Sequence, residues 1–163
     1  MMRPVTIALV VAALMAPAVP ADAKGQRLET LSGDALVIDG DTIMLSLTKI
    51  RMLGIDTPED EQTCRRGGIE WACGIEASAA LTDLVKDKRV TCDLNGRHSY
   101  GRPLGRCRIG ATDIGAWMVS QGWAVVDPRF EKTYLPQQAE AKAAKRGLWS
   151  GTFQMPCEFR GSC

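Results

Sequence analysis

The sequence predicts an α+β fold, mainly β, from three observations. In residues 42–47 the apolar Ile43, Leu45 and Leu47 alternate with Thr42, Met44 and Ser46, a period near two that marks a strand. Further short segments of strand character lie at 35–38, 50–55, 89–93 and 104–109, punctuated by Gly, Asn, Asp and Pro. Helical stripes fall after the third of these segments, at 74–86, and after the fifth, at 114–121 and 136–146.

The elements follow in order. Met1-Met2-Arg3, an apolar run over 5–19 and Ala21-Asp22-Ala23 read as a secretory signal peptide cut before Lys24. Removing residues 1–23 leaves 163 − 23 = 140 residues, enough for one small core. An uncleaved anchor helix is the rival reading, but the run is short for a membrane span. Residues 24–163 are therefore expected to be a single domain, a secreted or periplasmic monomer with no stable membrane association.

Asp39-Gly40-Asp41 is a turn signal between the first two strands, and Thr48-Lys49 a second. Thr57-Pro58 stops the third strand, because proline cannot donate to a ladder. Asp41 then opens one strand while Asp56 and Glu59 follow another, so adjacent strands can gather the three carboxylates at one end of a sheet. Residues 60–74 read as a polar loop. In the first helix Ala77, Ala80, Leu81, Leu84 and Val85 form a core stripe, and Glu76 suits the dipole near its start. Asn95-Gly96 and Ser99-Tyr100-Gly101 fall between the fourth and fifth strands, placing Tyr100 and Arg102 at the rim of a hairpin. Gly122 stops the second helix, and 123–126 is a last short apolar segment. Trp117 and Trp123 lie in apolar runs and read as core rather than as base-stacking platforms. Pro136 fits the first turn of the third helix and Gly147 its end. Five short strands with a helix after the third are consistent with a small closed barrel of the OB type, though the pattern alone says only α+β.

The formal net charge is +1, from 20 Lys and Arg against 19 Asp and Glu, so a globally basic polyanion binder is excluded. Local basic patches remain: Arg97, His98, Arg102, Arg106 and Arg108 around the hairpin, and Arg65 with Arg66. Either is equally ordinary surface charge on composition alone. The six cysteines fit an oxidising compartment and leave many connectivities open. Chain order favours Cys64–Cys73, while Cys92 and Cys107 flank a hairpin they could bridge and Cys157 and Cys163 could tie the tail; the full connectivity stays open. Zinc is the rival, but no C-x-x-C or histidine partner supports it. His98 is the only histidine, so a His-based triad has little material.

Gathered carboxylates repel unless one protonates or a cation neutralises them. Hard divalent ions take oxygen ligands, so Asp41, Asp56 and a nearby carbonyl make a sensible calcium-like site. Glu59, three residues on, is placed for a general base beside it. Read alone, these acids fit turn residues on a solvated rim better than a metal site.

Asp39-Gly40-Asp41-Thr42, residues 51–55 from Arg51, and Asp56-Thr57-Pro58-Glu59 together resemble the staphylococcal nuclease (thermonuclease) family. Tyr100-Gly101-Arg102 resembles its second arginine motif, and WACGIEASAAL at 71–81 its first helix. The resemblance runs from about residue 33 to 149, leaving a cysteine-containing tail over 150–163. It implies a five-stranded OB-fold barrel with three helices. It also implies a calcium-dependent endonuclease that cleaves DNA and RNA with low sequence preference, leaving 3′-phosphates. Asp41 and Asp56 would bind calcium through carboxylates and Thr57 through its carbonyl. Arg51 and Arg102 would clamp the scissile phosphate, Glu59 would act as base, and Tyr100 would contact substrate. The loop at 60–74 is about three residues longer than in the thermonuclease. Pro103 replaces a glycine, and Pro128 and Phe130 stand near two substrate-holding tyrosines. The alternative is a non-catalytic OB module binding nucleic acid or an anionic polysaccharide, since some relatives are associated with exopolysaccharide production. A disulfide-rich structural protein would ignore the acid–arginine pattern.

Overall fold

The structure, a computed structural model, describes residues 29–128 and 131–163. The signal-peptide reading of residues 1–23, and Phe130, lie outside them. Among the described residues no helix is long and apolar enough to cross a membrane.

Five strands close into a barrel: β1 (Thr30–Asp39), β2 (Thr42–Leu45), β3 (Thr48–Met52), β7 (Arg89–Ser99) and β8 (Arg102–Ile109). Antiparallel pairing runs β3-β2-β1-β7-β8, and a parallel contact of β3 with β8 closes the ring. The predicted five-stranded OB-type α+β fold is present. Between β3 and β7 lie β4 (Ile55–Asp56), β5 (Cys64–Arg66), β6 (Ile69–Trp71) and α1 (Cys73–Val85). After β8 come β9 (Thr112–Asp113), α2 (Ile114–Ser120), β10 (Val125–Val126) and α3 (Leu135–Ala143). A 3₁₀ turn (Gly147–Ser150) and a one-turn α4 (Pro156–Phe159) finish the chain.

Several boundaries differ from the sequence expectation, each for a local reason. The second hairpin turns at Ser46–Leu47 rather than Thr48–Lys49. Both residues have positive φ (49° and 67°), and Leu45 pairs with Thr48, the two-residue geometry that suits strand twist. The third strand breaks before 55, where Gly54 takes φ 83°, and resumes as β4 paired with β10. β1 starts earlier than 35, because Thr30–Asp34 pair with β7 whatever their side chains. β7 passes through Asn95-Gly96 instead of turning there. The Asn95 side chain accepts from the Arg97 amide at 3.0 Å, and the register shifts between Leu94 and His98, which makes a bulge. The loop at 60–74 holds the β5–β6 hairpin, folded over Gly67-Gly68.

The barrel interior holds Ile43, Leu45, Ile50, Val90 and Cys92, packed on Leu81, Ile114 and Met118 from the helices, all fully buried. Each large apolar side chain here contributes roughly 1.5–3 kcal/mol. Trp117 and Trp123 pack against this cluster, as core residues should. A second cluster joins Cys64, Cys73, Val125 and Leu148 to Trp71, Trp149, Phe153 and Met155, fixing the tail to the β5–β6 hairpin. Tyr134, buried, donates its hydroxyl to Asp113.

Three disulfides are formed, the favoured Cys64–Cys73 together with Cys92–Cys107 and Cys157–Cys163, which settles the connectivity the sequence left open. Cys92 and Cys107 are direct cross-strand partners in the core, 15 residues apart in sequence. Replacing both with alanine is expected to lower unfolding free energy by about 3 kcal/mol, the chain-entropy value for a loop of that length. Urea denaturation of the oxidised proteins checks this; an unchanged midpoint would remove the disulfide from the list of stabilising features.

Candidate active site

The site forms at one end of the barrel, where the β1–β2 turn, the end of β3, β4 and the β7–β8 turn meet. Asp39 makes the first turn by accepting the Asp41 amide at 3.0 Å, the local bond that favours Asp in turns. Asp41 is then carried inward at the head of β2 and is 2 % exposed. Its carbonyl accepts the Met52 amide at 2.8 Å, locking the turn to β3. Gly40 is required by close approach: a Cβ there would stand 2.7 Å from Thr57 Oγ1. Asp56 is 4 % exposed and Thr57 3 %, both held by the β4–β10 pairing and the stop at Pro58.

Arg51 links the acids. Its Nη1 donates to Asp41 Oδ1 at 2.9 Å and its Nη2 to Asp56 Oδ1 at 2.7 Å. Thr42 donates its hydroxyl to Asp41 Oδ1 at 3.0 Å and accepts from Arg102 Nη1 at 2.9 Å. Arg102 also lies 3.8 Å from Asp39. Tyr100, at φ 50° in the β7–β8 turn, is 72 % exposed, with the Arg102 guanidinium 5.9 Å from its ring centre. Glu59 shares a cavity of about 210 Å³ with Asp41, Arg51, Thr57, Tyr100 and Arg102. Asp56 lies beside it, on the wall of a neighbouring cavity of about 290 Å³ lined also by Arg51, Arg97, His98 and Tyr100. All seven candidate residues therefore meet at one place.

The charges are not independent. Burial pushes the Asp41 carboxyl up to about 7, with Arg51 opposing and Asp39 and Asp56 adding to the rise. Burial works against the Arg51 charge, but Asp41 and Asp56 outweigh it and hold its pKa above the ordinary value. The buried acids thus keep Arg51 fixed and charged.

Three features of the site escaped the sequence. Arg160 reaches in from the tail and donates to Glu59 Oε1 at 2.7 Å and Asp56 Oδ2 at 2.8 Å. Gln62, 1 % exposed, braces the Glu59 loop, donating to the Gln154 carbonyl at 2.7 Å. Gly74 lets α1 pack on that loop, since a Cβ would fall 1.8 Å from the Glu59 carbonyl oxygen. The predicted basic patch is divided. Arg106 pairs with Glu131 and Arg108 with Asp93, leaving Arg97 and His98 on the larger cavity. Arg66 bonds Ser150 and stacks on Trp71, so it braces the hairpin.

Comparison with known proteins agrees with this geometry. The model of the family described as Staphylococcal nuclease homologue matches residues 49–151. The chain is 34 % identical over 136 residues to the succinoglycan biosynthesis protein ExoI of Rhizobium meliloti (strain 1021), covering 81 % of this chain and 71 % of that protein. It is 34 % identical over 127 residues to an uncharacterized endonuclease of Escherichia coli O157:H7, covering 74 % and 77 %. It is 29 % identical over 143 residues to the probable staphylococcal-like nuclease CAN3 of Oryza sativa subsp. japonica, covering 86 % of this chain but 36 % of that protein. With the barrel, the arginine-bridged acids and a family match across most of its length, this chain belongs to the staphylococcal nuclease homologue family.

Proposed function

We propose that the protein is a calcium-dependent endonuclease that hydrolyses DNA and RNA with low sequence preference. The observation that carries this reading is the convergence of Arg51, Arg102 and the acids Asp41, Asp56 and Glu59 around one small cavity. The endonuclease and nuclease names of its relatives point the same way.

The donor set fits a hard cation. Asp41, Asp56 and the Thr57 carbonyl offer only oxygen, the ligand type that calcium takes, and all three residues are buried. No group of three or more His, Cys, Asp or Glu side chains close enough to hold a metal occurs among the described residues. A cation would be held by two carboxylates and a carbonyl, with water completing the shell and with the ion taking the place of arginine bonds to Asp56. An Asp41 carboxyl driven up to about 7 by burial is one that additional positive charge would ionise. A bound calcium ion would neutralise the acids and stabilise charge on a phosphate oxygen.

The remaining chemistry belongs to the chain. Glu59 accepts a proton from water as the water oxygen bonds to phosphorus. The P–O5′ bond breaks, the 5′-oxygen leaves as a hydroxyl after taking a proton from solvent, and the phosphate stays on the 3′ side. Arg51 and Arg102 compensate the charge that grows on the phosphate oxygens. Guanidinium suits this work because its planar fork matches two oxygens and stays charged. Tyr100, exposed at the rim, offers a face to a base. Contacts to phosphate and ring faces rather than base edges give low sequence preference. Three disulfides suit an oxidising compartment outside the cytoplasm. A second reading, a non-catalytic module for a polysaccharide, draws on the succinoglycan name of one relative and on the OB fold's use for oligosaccharides.

Digestion of single-stranded DNA by the oxidised chain with calcium, with magnesium and with a chelator separates the two. Calcium-dependent cleavage giving 3′-phosphate ends is expected, with Glu59→Gln slower by about 10²–10⁴-fold and Arg102→Ala by about 10²–10³-fold. A folded protein that binds calcium without cutting would favour the module. Asp41 gives a pH test in chelator. Its folded pKa lies above the ordinary carboxylate value, so its contribution to stability is complete below about 4 and is lost as pH rises through about 7. Asp41→Asn is therefore expected to gain stability relative to the native chain between those pH values. Urea unfolding at pH 4, 6 and 8 reads the difference, and a constant gap across the series would contradict it.

A further inference from the structure

Arg160 lies outside the residues matched by the family model, which end at 151, yet it reaches the centre of the site. It caps α4 in a short loop closed by the Cys157–Cys163 disulfide. The tail is braced in place: Arg65 and Thr152 exchange both backbone hydrogen bonds at 2.9 Å, and Gln62 holds the Gln154 carbonyl. Arg160 is thus presented from a supported loop rather than from a free end.

Its surroundings are those of a working arginine. It lines both cavities, the smaller with Arg51, Glu59 and Arg102, and the larger with Arg97 and Tyr100. A strand of nucleotides passing from one cavity to the other would cross it. Two of its five N–H donors go to Glu59 and Asp56, while Nε is buried without a partner. The side chain keeps 22 % of its surface exposed, so the guanidinium is not sealed off by its two carboxylates.

The chemistry leaves a place for it. In the nuclease reading Arg51 and Arg102, oriented by Asp41, Asp56 and Thr42, serve the equatorial oxygens. Cleavage develops charge on the leaving oxygen as well as on the equatorial ones, and two arginines clamping the latter serve the former poorly. Resting on the nuclease reading, we propose that Arg160 is a third phosphate-contacting arginine of this site, supplied by the C-terminal disulfide loop.

The test uses the full oxidised chain and a fluorescein-labelled single-stranded oligothymidylate. Anisotropy in chelator at several salt concentrations gives the Kd and its salt slope, and cleavage in calcium gives kcat/KM. Arg160→Ala is expected to weaken Kd and kcat/KM by about tenfold each. It should also make the salt slope shallower by about 0.7, the value for one lost contact to a single strand. Arg160→Lys should restore the slope, because the charge returns, but only part of kcat/KM, because the planar fork does not. If Arg160→Ala does not fold, Arg160→Gln replaces it, keeping a donor for Glu59 without the charge. Native Kd, slope and kcat/KM in the neutral variants would overturn the proposal, as would faster cleavage. Equal losses in the Ala and Lys variants with an unchanged slope would make Arg160 a strap for the tail and also overturn it. A native chain that neither binds nor cuts the oligonucleotide would sink the nuclease reading and this inference together. Cutting that depends on Glu59 but not on Arg160 would sink this inference alone.

Discussion

The site depends on a very short contact. Two residues of parallel pairing, Arg51 with Leu104 and Met52 with Gly105, close the barrel. Gly105 permits the approach: a Cβ there would lie 2.9 Å from Ile50 Cγ2 and 3.0 Å from Leu94 Cδ2. The backbone that seals the barrel is also the backbone that carries Arg51, with Arg102 two residues before Leu104. Closure and the juxtaposition of Arg51 and Arg102 are thus one event. Barrel closure also removes the exposed strand edges that an open sheet would present.

The electrostatics of the site follow from that placement. Three acids meet three arginines, and two of the acids, Asp41 and Asp56, are more buried than an unpaired carboxylate tolerates. Asp41 is deep enough that one arginine does not fully compensate it, which is why its carboxyl rises. Asp56 has an arginine on each oxygen. Such a network is poorly suited to maximising stability, because desolvation offsets much of the attraction. It is well suited to a site that accepts a cation and an anion together, since each arriving charge finds a partner already fixed by the other sign.

Much of this was legible in the chain. The period-two pattern over 42–47 and the stripe of Ala77, Leu81 and Val85 set the barrel strands and first helix, because burial of one face imposes those spacings. Asp41, Arg51, Asp56 and Glu59 lie within twenty residues, so hairpin geometry alone suffices to draw them together. The turn at Ser46–Leu47 was not legible, because neither residue is a usual left-handed one. Nor was the bulge in β7, where pairing across the barrel overrides the Asn95-Gly96 turn signal. Arg160 carried no local mark, since its place is set by packing of the tail on the β5–β6 hairpin and by partners 101 and 104 residues away.

That last separation bears on how the molecule comes into being. The β1–β2–β3 meander is local and its hairpins can form within microseconds. Pairing of β3 with β8 must close a loop of some fifty residues, and the Arg160 contact one about twice as long, each with its own entropic cost. Folds rich in contacts of such span fold slowly for this reason. Arg51 is joined to the acids by local pairing, whereas Arg102 reaches them across barrel closure and Arg160 across docking of the tail. A nascent chain carries the carboxylates well before it carries the complete cationic side of its site, so the finished charge network is a property of the fully matured molecule alone.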